Sequence, residues 1–174
     1  HTAYSFDAFA FGTTARPSDA YRYARGEPLE HPAGFIMQLD EPLDFYGVTD
    51  HAMFLGLAEA AADTSNPFSK TPGIEWIHDL NAPDNLGLLS LPSRMKAFST
   101  FLPDLLRGIE DGSIDIEDTT QVARSAWRDV INAAEGFNDP GRFTTFVAYE
   151  YSTAADDRGN LHRNVIFRGG DRLP

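Results

Sequence analysis

Between Glu117 and Glu135 the residues Val122, Ala123, Ala126, Trp127, Val130, Ile131 and Ala134 fall on one face at helical spacing, and Gly136 follows the run. A helix with a single apolar stripe needs a surface to bury it on, so Trp127, Val130 and Ile131 are expected to pack into the domain. That surface is expected from short apolar runs on either side of the helix. Leu43 to Val48 follows Pro42 and ends at Thr49-Asp50-His51, Phe143 to Tyr149 reads as a second strand, and Asn164 to Phe167 as a third. Helices lying between strands point to an α/β architecture.

The remaining segments are less regular. His1 to Gly12 reads as a strand end running into a loop. Pro17-Ser18 opens a short helix over Asp19–Arg25, with Ser18 as N-cap and Gly26 just past its end. A loop is expected through Glu27-Pro28 and His31-Pro32, and an Ala-rich helix from Ala52 to Ala62. Four prolines between residues 63 and 92 deny that stretch a long regular element. Ser93 to Ile109 looks helical but contains Pro103, which predicts two helices or a kink. Ser152 to Gly159 reads as a polar turn.

Composition narrows the function. With 174 residues, 42% of them hydrophobic, the chain is long enough for one domain with its own core. A net charge of −12 opposes binding to nucleic-acid backbones, which demands clustered Lys and Arg. No stretch approaches the roughly 18 apolar residues of a membrane span. The absence of cysteine excludes disulfides and thiolate metal sites and suits cytoplasm and periplasm alike. The chain opens on His1 rather than Met, as it would after removal of a leader or when starting inside a longer protein; an exported, periplasmic location is slightly favoured.

Chemistry is expected where strands end. Three places there carry groups able to bind metal: His1 with Asp7, Asp50-His51 after the run 43–48, and Glu150 after Phe146–Tyr149 with His162 across the polar turn. In parallel α/β folds the carboxyl ends of the strands form the functional face. Imidazole together with carboxylate suits Zn, Mn or Fe, and a carboxylate can bridge two ions. Each signal has a plainer reading. Asp50 could cap and His51 pack, Glu150 could form a surface salt bridge, His162 could hydrogen-bond beside a hairpin, and His1 could be a frayed terminus.

Together these residues resemble a known pattern. His1-Thr2 with Ser5 and Asp7 resembles the end of the His-x-His-Thr-x-x-Ser-x-Asp signature of the PHP (polymerase and histidinol phosphatase) superfamily, Thr49-Asp50-His51 its second motif and Glu150 its third. More closely, Tyr4-Ser5-Phe6-Asp7-Ala8, Ala20-Tyr21-Arg22, Ala24-Arg25-Gly26-Glu27-Pro28, Val48-Thr49-Asp50-His51 and the string from Asn160 to Arg168 resemble the DUF3604 branch. Residues 60–135 carry no matching motif and read as a family-specific insertion of helix and loop.

The resemblance implies a partial, distorted (β/α) barrel of PHP type with a helical insertion, holding two or three divalent ions when complete and hydrolysing a small-molecule phosphate ester. By motif, His1, Asp7, His51, Glu150 and His162 would ligate metal, with Glu150 as bridge and Asp50 orienting an imidazole from behind. Arg22, Arg25, Arg163 and Arg168 could meet phosphate as bidentate donors, and Arg163, beside His162, is the strongest of the four. The first His of the signature and later family ligands would lie outside residues 1–174, so the domain is expected to be incomplete at both ends. The competing expectation is an acidic, non-catalytic binding or interaction module in which the same His and carboxylates are structural.

Overall fold

The computed structural model describes residues 1–155, 159–170 and 172–174, along which helices and short strands alternate. The helices are α1 (Phe6–Ala10), α2 (Pro17–Ala24), α3 (Leu57–Ala62), α4 (Leu91–Asp111) and α5 (Ile116–Phe137). The strands are β1 (Leu29–His31), β2 (Phe35–Met37), β3 (Phe45–Gly47), β4 (Thr144–Phe146), β5 (Ala148–Ala155) and β6 (Gly159–Ile166). They pair in twos, β1–β2 and β5–β6 antiparallel and β3–β4 parallel, giving a mixed α/β chain with small sheets. No helix among the described residues is long and apolar enough to cross a membrane.

The parallel pair positions everything that follows. Gly47 pairs with Phe146, and beyond the strands proper His51 bridges Glu150 in the same register. Glu150 donates its N–H to the Asp50 carbonyl at 2.8 Å, and Ala52 donates to the Glu150 carbonyl at 2.9 Å. Asp50-His51 and Glu150 are thereby held side by side beyond the carboxyl ends of β3 and β4. Glu150 then starts down β5, whose partner β6 returns His162 opposite Ser152.

Helix α5 ties the core together. Its Val122 and Ala123 lean on a cluster of Phe9, Leu57, Ala61, Ile77 and Leu105. One turn on, Ala126 and Val130 pack with Tyr4 and Leu55, and Ala134 joins Tyr21, Val48, Phe143 and Val147 beneath the parallel strands. Val130 is buried as expected, whereas Trp127 and Ile131 are only half-buried. The Trp127 indole sits edge-on to Tyr149 and donates its N–H to the Pro174 carbonyl at 2.9 Å. Residues 60–135 are thus packed into the same core as the motif-bearing segments.

Gly56 shows how tight this packing is. It adopts φ +74° at the start of α3, and a Cβ there would lie 2.7 Å from the Ala126 Cβ. Glycine supplies both the left-handed conformation and the space for α5 to approach.

Several local expectations are corrected. The opening segment forms a helix, α1, because Phe9 and Ala10 have a core to enter. Helix α2 starts at Pro17 with Arg16 as N-cap, since Pro fits the first helical position and Asp19 accepts the Arg16 N–H at 2.8 Å. The loop around His31 is a hairpin, β1–β2. The Ala-rich helix begins only at Leu57, after Gly56. Helix α4 runs unbroken through Pro103. Pro103 and Ser99, whose carbonyl loses its partner, are both on the exposed face, while Ala97, Phe101 and Leu105 on the other face are buried. The strand expected over 143–149 divides into β4 and the start of β5, and most of the expected turn is strand: β5 reaches Ala155 and β6 begins at Gly159, with 156–158 outside the described residues.

Candidate metal centre

The first residues of the chain are drawn to the ends of the parallel strands by Asp50, which is almost fully buried. Its carboxylate accepts from the Thr2 N–H at 2.5 Å, the Thr2 hydroxyl at 2.6 Å and the Ser5 hydroxyl at 2.8 Å. Three donors from one short segment explain how a carboxylate can be buried there without a cation. Asp50 was expected to orient an imidazole from behind. It acts one atom further away, through Ser5.

The Ser5 hydroxyl is saturated. It donates to Asp50 and receives the His51 N–H at 3.0 Å, and His1 Nδ1 lies 2.7 Å away. A hydroxyl has one proton, so the His1 contact requires Nδ1–H to be the donor. This assigns the His1 tautomer from its partners and leaves Nε2 pointing at Glu150 Oε2, 3.0 Å away. A second serine repeats the arrangement. Ser152 donates to Glu150 Oε1 at 3.1 Å and therefore accepts from His51 Nδ1 at 2.6 Å. His51 Nε2 then faces Asp7 Oδ2 at 3.4 Å.

Glu150 occupies the middle of the cluster and is 8% exposed. Its Oε2 faces His1, while its Oε1 meets His162 Nδ1 in a short hydrogen bond and lies 3.3 Å from His51 Nδ1. Burial pushes the carboxyl up, but the hydrogen bond from His162, the neighbouring His51 and the Ser152 hydroxyl outweigh it and hold Glu150 below the usual carboxylate range.

All five residues singled out as metal ligands converge here. His1, Asp7 and His51 place donor atoms within 4.8 Å of one another, as do His51, Glu150 and His162, and His51 belongs to both groups. The rings of His1 and His51 are 4.5 Å apart between centroids, and those of His51 and His162 5.4 Å. Arg163 is not brought to this cluster. It pairs with Tyr151 on β5 and so shares the opposite face of the hairpin from Glu150, Ser152 and His162. Arg22 is engaged by Asp19, and Arg25 lies over the Phe137 ring. Ser152 escaped the sequence reading because its segment looked like a turn; its spacing of two from Glu150 would have placed both on one face had the strand been recognised.

The fold and this cluster define a mixed α/β protein in which two groups of histidine and carboxylate side chains could hold a metal ion. Over residues 1–174 the chain matches the family described as "Protein of unknown function (DUF3604)", and it belongs to that family. No curated protein and no solved structure matches it.

Proposed function

We propose that this protein is a metal-dependent hydrolase, a phosphoesterase acting on a small-molecule phosphate ester, and that its parallel strands are part of a partial, distorted (β/α) barrel of PHP type into which residues 60–135 are inserted. The observation that carries the reading is the pairing of Nε2 of His1 with Glu150 Oε2 and of Nε2 of His51 with Asp7 Oδ2. Each imidazole gives its Nδ1–H to a serine behind it and turns Nε2 toward a carboxylate oxygen, where either a second ring proton or a bound cation satisfies the pair. At a pH where the rings are neutral, the two facing atoms are both electron-rich and a cation is the group that fits between or beside them. The donor set, imidazole and carboxylate without thiolate, suits Zn, Mn or Fe.

Bound divalent ions supply activation of water and polarisation of a phosphoryl oxygen. The chain's own contribution is to hold the donors. Glu150, with its two oxygens directed at different histidines, would be suited to bridge two ions; His51, with only Nε2 left, would serve one of them beside His1 and Asp7, and His162 would serve the other. Ser5 and Ser152 set the tautomers that keep Nε2 available, a supporting layer on which metal affinity depends strongly.

The test is the metal content of purified protein loaded with Mn or Zn, together with hydrolysis of 4-nitrophenyl phosphate. Two ions per chain are expected, with Glu150→Gln losing at least one of them and any hydrolysis falling in parallel. Protein that retains no transition metal in either form would return the histidines and carboxylates to a structural role in a non-catalytic interaction module.

A further inference from the structure

Beside His1 and Thr2 opens a cavity of about 570 Å³, within the range of small-molecule sites. Its walls are unlike the centre it adjoins. Phe11 comes from the end of α1, Tyr23 from α2, His31 and Met37 from the β1–β2 hairpin, and Tyr46 from β3. These present flat aromatic and thioether surface with scattered hydroxyls.

The charges on the walls point the same way. Among the described residues Arg94 is the one Lys or Arg lining the cavity, and it has no donor to spare. Its Nε donates to Ser90 Oγ, and its terminal nitrogens donate to the Ala10 carbonyl, Asn81 Oδ1 and the Leu80 and Asn85 carbonyls. That accounts for all five N–H groups of a guanidinium. Of the other ionisable side chains on the walls, Glu30 and Asp19 are acidic, Asp19 being paired with Arg22, and His1 and His31 are imidazoles. An anionic group entering the cavity would find no Arg or Lys donor to pair with among the described residues and would meet the Glu30 carboxylate.

We propose that this cavity is a binding site for an uncharged, flat aromatic group, positioned as the alcohol half of the ester whose phosphate would sit at the metal centre. A second phosphate or a carboxylate on that half is disfavoured. The placement of the ester relies on the phosphoesterase reading, whereas the preference for an uncharged aromatic group relies on the walls alone.

The experiment measures equilibrium binding of 2-naphthol and of 6-hydroxy-2-naphthoate to the full chain by fluorescence. In parallel it measures hydrolysis of the two corresponding phosphate esters with added Mn or Zn. Naphthol is expected to bind, with the carboxylated analogue about tenfold weaker. Tyr23→Ala and, at the exposed mouth, Phe11→Ala are each expected to weaken naphthol binding by up to about tenfold while metal content stays unchanged. Absence of naphthol binding, equal affinity for the carboxylate, or indifference to both substitutions would overturn the site. If naphthol binds in the expected way but 2-naphthyl phosphate is left intact, the aromatic site stands and the phosphoesterase reading falls.

Discussion

His51 and Glu150 are joined twice, by a backbone bridge in the register of the parallel strands and by a side-chain approach of 3.3 Å between His51 Nδ1 and Glu150 Oε1. Neither residue lies in a mobile loop of its own choosing; each is anchored by the other's strand. Donors carried on paired backbone hold their spacing better than donors on separate loops. His1 is the exception, and its place is secured by Ser5 and, through it, Asp50.

Ser152→Ala should leave the fold intact and weaken metal binding. The hydroxyl fixes the His51 proton on Nδ1 and donates to Glu150. Loss of such a supporting group is expected to reduce affinity about 10- to 100-fold. Competition with a chelator of known affinity measures it, and an unchanged melting temperature separates the effect from misfolding.

Asp50→Asn keeps the shape but exchanges one acceptor oxygen for an NH2 group that faces the donors of Thr2 or Ser5. A loss of about 3 kcal/mol in urea unfolding is expected from the mismatch of buried, charge-assisted hydrogen bonds. Metal affinity should fall with it, because His1 depends on Ser5 for its orientation.

Gly56→Ala should cost about 2 kcal/mol, from the positive φ and from the collision with Ala126. Adding Ala126→Gly should recover the steric part and leave the conformational part. Thermal melts of the two single variants and the double variant separate the two contributions.

Acid should unfold the metal-free protein partly through Glu150. Its folded carboxyl titrates below its ordinary value of 4.5, so the unfolded chain takes up the proton first as pH falls. The stabilisation is fully present above about 4.5 and is lost as pH drops through the lower folded value. Glu150→Gln should flatten that limb of a stability–pH profile while leaving the neutral region nearly parallel to wild type.

The long helix was legible because Ala126, Val130 and Ala134 are spaced for one face and the structure buries that face. The β5–β6 hairpin was not, because β6 is exposed along almost its whole length and so lacks the alternation of apolar and polar residues that marks a half-buried strand. Of the two outcomes Pro103 allowed, division into two helices does not occur: the local rule about broken hydrogen bonds gave way to burial of Phe101 and Leu105 two residues to either side. At the centre, residue type and position around expected strands brought His51, Glu150 and His162 together, whereas His1 and Asp7 were attached to a strand end that the structure replaces with helix α1. Which face Arg163 occupies depends on strand register, and the register became readable only with the hairpin in view.

Glu150 receives His1 on one oxygen and His162 on the other, residues from nearly opposite ends of the described chain. Closing such a loop is among the last contacts a chain can make, since its entropic cost comes due before any local gain offsets it. A nascent chain therefore has no such pocket until β6 has docked. Whatever ligand binds there is selective for chains in which these segments have come together, and its binding energy is added to the stability of all of them at once. In a cell, ligand supply would then govern how long each copy survives proteolysis as well as how fast it works.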